Sequence, residues 1–145
     1  MRSLIYYAEL HREKDGSGYW VSFPDVPEAL TDGATKEEAL ASASDALVTA
    51  LGGYVEAGKK IPQSKRRKGL HGVPVPPLVA AKLALHDAIQ TQRLSARALA
   101  RRLDMQETAV RRLLDLGHRS HIGEVERALM ELGLRLSVRV EKIAA

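Results

Sequence analysis

The stretch from Gly58 to Pro77, GKKIPQSKRRKGLHGVPVPP, is the feature that most restricts the fold of this chain. It holds four of the chain's six prolines and the basic run KRRK. Proline interrupts both helices and central strands, and proline-rich, charged sequences stay extended. We therefore expect two small domains, residues 1–60 and 78–145, joined by a basic, hinged linker over residues 61–77. Val73 and Val75 could still add a strand to the first domain's sheet.

Charge is distributed unevenly between the two halves. Residues 1–60 carry 6 Lys or Arg and 10 Asp or Glu, a net charge of −4, whereas residues 61–145 carry 16 and 8, a net charge of +8. The basic half suits a polyanion such as nucleic acid, and the acidic half suits a cationic protein surface. The alternative is solvated charge that only keeps the protein soluble.

The sequence also predicts the cellular compartment of the protein and whether it binds a metal or cofactor. No window approaches the roughly 20 apolar residues of a membrane span, and charged residues follow the N-terminus too soon for a signal peptide. The chain has no cysteine, which excludes disulfides and thiolate metal sites. His118 and His121 lie in a loop with no carboxylate or cysteine nearby. We expect a cytoplasmic protein with no metal site and no cofactor.

Two patterns predict the secondary structure of the first half. Residues 4–10 and 19–23 alternate between apolar and polar around the turn-rich KDGSG, which predicts a β-hairpin, and residues 29–34 predict a short third strand. The run Thr35-Lys36-Glu37-Glu38 is a capping box that begins a helix on the sheet. Gly52-Gly53 costs about 1 kcal/mol per Gly relative to Ala, so the helix is expected to bend or end there.

The motifs GYWVSFPDVP, TDGAT and EEAL follow one another within residues 18–40, and residues 4–62 resemble the HicB family of antitoxins. The resemblance implies a degenerate double-stranded-RNA-binding-like fold that binds a small basic ribonuclease toxin, HicA, and covers its active site. On this reading the toxin-facing surface lies around the third strand, at Asp25, Glu28 and Asp32. Alternatively, Trp20 and Phe23 are core residues and the Pro-Asp-Val-Pro stretch is only a turn.

The first half offers no convergent catalytic groups. A catalytic carboxylate or histidine needs a second group that orients it and a pocket that shifts its pKa, and here the acids are scattered over turns and a helix face. We therefore predict that the chain is not an enzyme.

The sequence of the second half predicts a series of short helices. Apolar residues from Leu78 to Ile89 share one helical face, Ser95 can cap a second helix, and Gln106 can cap a third. Asp104 between these two can adopt the left-handed conformation of a tight turn. Two short helices around such a turn make a helix-turn-helix. The segment SARALARRLDMQETAVRRLLD resembles the helix-turn-helix of the phage-repressor-like family.

On that alignment the second helix of the pair enters the DNA major groove, where Arg pairs with guanine and Gln with adenine. The base-reading candidates are Gln106, Glu107, Thr108 and Arg111. The candidates for contacts to backbone phosphates, which position the protein without reading sequence, are Ser95, Arg97, Arg112 and Arg119. Generic surface charge is the alternative for all of them.

The C-terminal tail alternates strictly after Gly133, which predicts a final strand whose apolar residues are Leu134, Leu136, Val138 and Val140. A lone strand leaves its backbone groups unpaired, so it should pair with the first domain's sheet or with the same strand of a second subunit. We favour the second option, a homodimer that presents two recognition helices about 34 Å apart.

Together these patterns predict an α+β protein: an N-terminal antiparallel sheet with one helix, then a helix-turn-helix domain ending in a strand. The predicted function is an antitoxin that sequesters a HicA-like toxin, which cleaves messenger RNA, and represses its own operon by binding promoter DNA. One alternative is a stand-alone helix-turn-helix transcription regulator whose first domain senses a small ligand or a protein. Another is an RNA-binding or RNA-cleaving protein, against which the acidic first half argues.

Overall fold

The alternating residues near the N-terminus form the predicted hairpin in the computed structural model, which describes residues 4–143. Tyr6 and Ala8 of the first strand and Val21 of the second are buried on one face, as the alternation requires. The described elements are the strands β1 (Ile5–Arg12), β2 (Tyr19–Ser22), β3 (Leu30–Gly33) and β4 (His71–Pro74), and the helices α1 (Lys36–Glu56), α2 (Pro77–Thr91), α3 (Ala96–Leu103), α4 (Glu107–Leu114) and α5 (Ile122–Glu131).

The four strands form one antiparallel sheet in the order β3-β2-β1-β4, with α1 packed on one face. The capping box is confirmed: the Thr35 hydroxyl accepts from the Glu38 backbone N–H at 3.1 Å. The Glu38 carboxylate in turn accepts from the Ala34 N–H at 3.0 Å. Both bonds satisfy N–H groups where the chain enters the helix, so α1 begins where the sequence predicts.

The structure differs from the sequence-based prediction at two places in this half. The third strand covers Leu30–Gly33, two residues fewer than predicted. Helix α1 also runs through Gly52 and Gly53 to Glu56 rather than ending at them. Leu47 and Leu51 are fully buried before this pair and Tyr54 packs against the same core after it, and this packing offsets the low helix propensity of glycine.

The segment expected to be an extended linker is held against the sheet at several points. Residues 71–74 form β4, as Val73 indicated, and this strand pairs with the start of β1. The Tyr6 hydroxyl donates to the Pro62 carbonyl at 2.7 Å, and Arg67 forms an ion pair with Asp25 at 2.9 Å. These contacts tie the proline-rich stretch to the first half.

Helices α2 to α5 surround a second hydrophobic core, which lies around Leu85, Leu99, Leu103, Val110 and Leu129. Each of these helices is too short to be stable alone, so burial of one apolar face in this common core holds them. Helix α5 ends at a glycine: Gly133 takes a positive φ of 81°, and the Leu134 N–H donates back to the Leu129 carbonyl at 2.9 Å.

Helix α2 contributes to both cores. Val79 and Leu83 pack with the sheet and α1, whereas Ala81 and Leu85 pack with the other helices. Leu116, from the loop after α4, is also buried in the first core. The halves are thus packed against one another through α2, contrary to the hinge that the linker composition favours, because α2 buries apolar residues on two faces.

The predicted C-terminal strand is absent from the described chain. Residues 134–143 have no strand assignment, and the sheet contains only β1 to β4. Leu136 packs partly against the second core, while Val138 and Val140 are 74% and 92% exposed. A strand is defined by hydrogen bonds to a neighbouring strand, and none of the described strands β1 to β4 pairs with the tail.

Candidate functional site

Helices α3 and α4 are joined by a turn of only three residues, Asp104 to Gln106. Asp104 has φ 53° and ψ 48°, the left-handed conformation that the sequence predicted. The Met105 N–H donates to the Ala100 carbonyl at 2.9 Å across the turn. Val110 of α4 is fully buried between the helices. The turn and this buried residue leave the opposite side of α4 to solvent.

The four base-reading candidates lie together at the start and along the solvent side of α4. Gln106, Thr108 and Arg111 are exposed, and Glu107 is half-buried. The Arg111 guanidinium forms an ion pair with the Glu107 carboxylate at 2.7 Å, one helical turn away. An exposed pair of this kind contributes only about 0.3–0.5 kcal/mol, so a stronger acceptor can replace the carboxylate.

The expected capping of α4 by Gln106 is wrong. Gln106 occupies the N-cap position, but its side chain makes no capping hydrogen bond. Short side chains such as Ser, Thr, Asp and Asn reach the second and third N–H groups of a helix most readily, and glutamine is longer than any of them. The side-chain amide of Gln106 therefore satisfies no backbone N–H group at the start of α4.

The four phosphate candidates occupy two places. The Ser95 hydroxyl caps α3 by accepting from the Ala98 N–H at 3.0 Å, which leaves its own proton free to donate. Arg97, on the first turn of α3, is exposed. Arg112 stands on the last turn of α4 and Arg119 in the loop that follows, and both are exposed. One hydroxyl and one guanidinium group thus lie at the start of α3, and two guanidinium groups lie at the end of α4 and in the loop after it.

Sequence reasoning missed Lys82, which lies on α2 and has no exposed surface. Its ammonium donates to the carbonyls of Arg112, Asp115 and His118 at 2.9, 2.7 and 2.7 Å, and to the Ser120 hydroxyl at 2.9 Å. Burial lowers the pKa of Lys82 from its ordinary value, and the Asp115 charge opposes that shift. The only signal in the sequence is one lysine inside the apolar helical run LVAAKLAL.

The three acidic candidates of the first half differ in their contacts within the chain. The Asp25 carboxylate accepts from the Lys65 N–H and the Arg67 guanidinium, each at 2.9 Å. Burial opposes ionisation of Asp25, but these two groups outweigh it and hold its pKa below the ordinary value. Asp25 therefore holds the segment after α1 in place.

Glu28 is likewise committed to a contact within the chain. Its carboxylate accepts from the Tyr54 hydroxyl of α1 at 2.7 Å, and this bond lowers the pKa of Glu28 and raises that of Tyr54. Asp32 differs from both. It is exposed on β3, and no partner for its carboxylate occurs among residues 4–143.

Asp32 belongs to the face of the sheet opposite α1, which we call the outer sheet face. Trp20 is its neighbour across the β2–β3 pair and stacks on His11 of β1, with 3.8 Å between ring centroids. Leu30 lies on the same face and is 60% exposed. Phe23 is buried, as the core reading predicts, but Trp20 is only half-buried, so the two aromatic residues have different roles.

Comparison with known families shows the family of this chain. A family model described as HicB-like antitoxin of bacterial toxin-antitoxin systems matches residues 5–84, which is more than half of the chain. The chain belongs to the HicB-like antitoxin family. The matched residues run from β1 into α2, so the family region includes β4 and the bridging helix α2 as well as the sheet and α1.

Curated HicB relatives extend the match. Antitoxin HicB 2 of Photorhabdus laumondii is 43% identical over 126 residues, 87% of this chain and 90% of the relative. Antitoxin HicB of Pseudomonas fluorescens is 41% identical over 138 residues, 94% of this chain and 93% of the relative. Antitoxin HicB of Escherichia coli K12 is 40% identical over 122 residues, 83% and 88% of the two chains. The likeness to HicB therefore continues past residue 84 into the helical half.

The HicB-like family is regulatory rather than catalytic. Within residues 4–143 there is no group of three or more His, Asp or Glu placed to hold a metal ion. No helix in the described part of the chain is long and apolar enough to cross a membrane. The exposed residues of α4 and of the outer sheet face are thus the two candidate surfaces of this HicB-like antitoxin.

Proposed function

We propose that this antitoxin represses its own operon by binding promoter DNA through α3 and α4 as a helix-turn-helix. The observation that carries the proposal is the three-residue turn at Asp104, which follows one short helix and precedes another with exposed Gln106, Thr108 and Arg111. A helix exposed in this way fits the major groove, where its first turns reach base edges. The surplus of positive charge in residues 61–145 favours the same ligand.

The first half binds the toxin, which we propose is a small HicA-like ribonuclease that cleaves messenger RNA. Membership of an antitoxin family implies a toxin partner, and the element order β-β-β-α-β along the chain supports a degenerate double-stranded-RNA-binding-like fold. The acidic balance of residues 1–60 suits a basic partner. Because Asp25 and Glu28 are engaged within the chain, Asp32 and the outer sheet face are the part of the predicted acidic region best placed to meet it.

Repression requires a dimer in this proposal. Leu134, Leu136, Val138 and Val140 form the apolar row of the tail, and we propose that this row pairs as a strand with the same tail of a second subunit. A two-fold dimer would present two copies of α4 to an inverted repeat in the promoter.

The toxin proposal is tested by co-expressing the full chain with the small open reading frame adjacent to its gene. We expect that frame to arrest growth when expressed alone, and the chain to restore growth and co-purify with the product. Asp32→Lys should weaken the complex, whereas Asp45→Lys, which reverses an exposed acid on α1, should not. Absence of both toxicity and complex formation would favour the stand-alone regulator.

The DNA proposal is tested separately, by fluorescence anisotropy with the DNA upstream of the gene and with a shuffled sequence of the same length. We expect tighter binding to the upstream DNA. Equal affinity for both sequences at several salt concentrations would contradict sequence-specific repression, whatever the outcome with the toxin.

A further inference from the structure

Lys82 places a buried positive charge against the end of the proposed recognition helix. Its four oxygen partners all belong to the short segment 112–120, and three of them are main-chain carbonyls. No carboxylate oxygen is among these partners. The ammonium is thus coordinated mainly by backbone carbonyl oxygens of this segment, as a bound cation would be.

The chemistry of these carbonyls explains why a cation suits the position. The last four carbonyls of a helix have no N–H partner inside the helix, and Arg112 is in the last turn of α4. The same end carries the negative end of the helix dipole, which a cation stabilises. The carbonyls of Asp115 and His118 belong to the loop that follows. One side chain therefore holds both the end of α4 and its loop.

We propose that Lys82 is a positioning residue for DNA binding: it fixes the end of α4 and the loop 115–120 so that Arg112 and Arg119 meet the phosphate backbone. The proposal rests on the proposed function, that α4 enters the major groove. Both arginines lie within the segment whose backbone Lys82 holds. Leu116 of the same loop is buried in the first core, so the segment has a second anchor to the sheet domain.

A purely structural role is the rival explanation, and the cost of the arrangement argues against it. Removing an ammonium from water is expensive, and well-packed apolar residues are often at least as stabilising as buried charges. An apolar residue at this position would fill the space, but it would leave the carbonyls of Arg112 and Asp115 without the charge that orients them. The ammonium specifies the geometry of the segment, whereas packing alone would not.

The test compares wild type with Lys82→Met in full-length protein, using upstream DNA over a range of KCl concentrations. Each phosphate contact contributes about 0.9 to the slope of log K against log salt, so loss of both arginine contacts should reduce the slope by about 2. Partial unfolding lowers the active fraction at every salt concentration and leaves the slope unchanged. The slope therefore separates positioning from stability.

A chemical rescue provides the matched control. The chain contains no cysteine, so Lys82→Cys creates a single thiol that can be alkylated in denaturant before refolding. Alkylation with 2-bromoethylamine restores an ammonium of nearly the lysine length, whereas iodoacetamide adds a neutral group. We expect the first product to recover the wild-type slope and the second to match Lys82→Met.

Ser120→Ala keeps the test decisive if these variants do not fold. It removes one partner of Lys82, together with the bonds of that hydroxyl to the Arg112 carbonyl and the His118 ring, and leaves the three carbonyls that Lys82 contacts. We expect it to reduce the slope by less than Lys82→Met does. A wild-type slope in Lys82→Met, or in Ser120→Ala when the Lys82 variants do not fold, would overturn the positioning role alone. Failure of the wild-type chain to bind upstream DNA would overturn the DNA-binding proposal and this one together.

Discussion

Gly33 is the position at which one added methyl group should damage the first domain most. A Cβ built there would lie 2.4 Å from the Ala39 nitrogen and 2.9 Å from the Ala39 Cα and the Glu38 carbonyl carbon. The optimum separation of two carbon atoms is about 3.5–4.0 Å. All three atoms belong to the backbone of α1, so no side-chain rotation can relieve the clash. Gly33→Ala must push the start of α1 away from β3.

The magnitude follows from what α1 buries. Ala39, Ala43, Leu47 and Leu51 all face the sheet with no exposed surface, so a shift at the start of the helix disturbs this whole row. Overpacking typically costs about 1–3 kcal/mol, and we expect about 3 kcal/mol here because the obstacle is backbone. Gly53→Ala is the matched control: nothing lies within 4 Å of its Cβ position, and it lies inside α1. Alanine there should stabilise the helix by about 1 kcal/mol.

The free energy of unfolding of both variants is measured by urea titration. Unfolding is monitored by circular dichroism and by the fluorescence of Trp20, the only tryptophan. The two substitutions are chemically identical, and we expect their changes in the free energy of unfolding to have opposite signs. A value for Gly33→Ala within about 0.5 kcal/mol of wild type, the range of ordinary surface substitutions, would refute the close approach of α1 to β3.

Three further predictions concern charge and assembly. Arg111→Ala should lose preference for upstream over shuffled DNA, whereas Arg97→Ala should weaken binding to both and reduce the salt slope by about 1 in the same anisotropy assay. Because the folded pKa of Asp25 lies below its ordinary value of 3.8, the carboxylate stabilises the fold above that pH and less as pH falls through the lowered value. The difference in unfolding free energy between wild type and Asp25→Asn should therefore shrink from pH 7 to pH 3, and a difference independent of pH would contradict the ion pair. Deletion of residues 134–145 should lower the mass measured by light scattering and weaken operator binding; an unchanged mass would exclude the tail as the dimer contact.

Local patterns were sufficient for much of the secondary structure. The alternation in β1 and β2, the capping box at Thr35 and the left-handed turn at Asp104 each depend on residues within a few positions of one another. Their geometry follows from backbone preferences and nearby hydrogen bonds, which are encoded in the adjacent sequence. The base-reading and phosphate candidates were placed on or beside α3 and α4 for the same reason, since helical spacing determines which residues share a face.

Long-range partners could not be predicted in this way. Composition indicated a hinged linker, but Arg67 pairs with Asp25, 42 positions away in sequence, and β4 pairs with β1. The three acidic candidates also differ in their contacts: Asp25 and Glu28 have partners within the chain, whereas Asp32 has none among residues 4–143. Periodicity could not show these outcomes, because a charged residue has the same pattern whether its partner is another segment, a second protein or water.

The amino-acid sequence by itself determined the class of the protein, the hairpin and the helix that follows it, the turn between α3 and α4 and the family to which it belongs. Only the tertiary structure decided that α2 packs on two cores, that Trp20 stacks on the outer sheet face and that Lys82 holds the segment after α4. Each of these depends on which distant groups meet once the chain is compact. The tail shows the same division: its alternation is suited to a strand, but a strand forms only where a neighbouring strand supplies the hydrogen bonds.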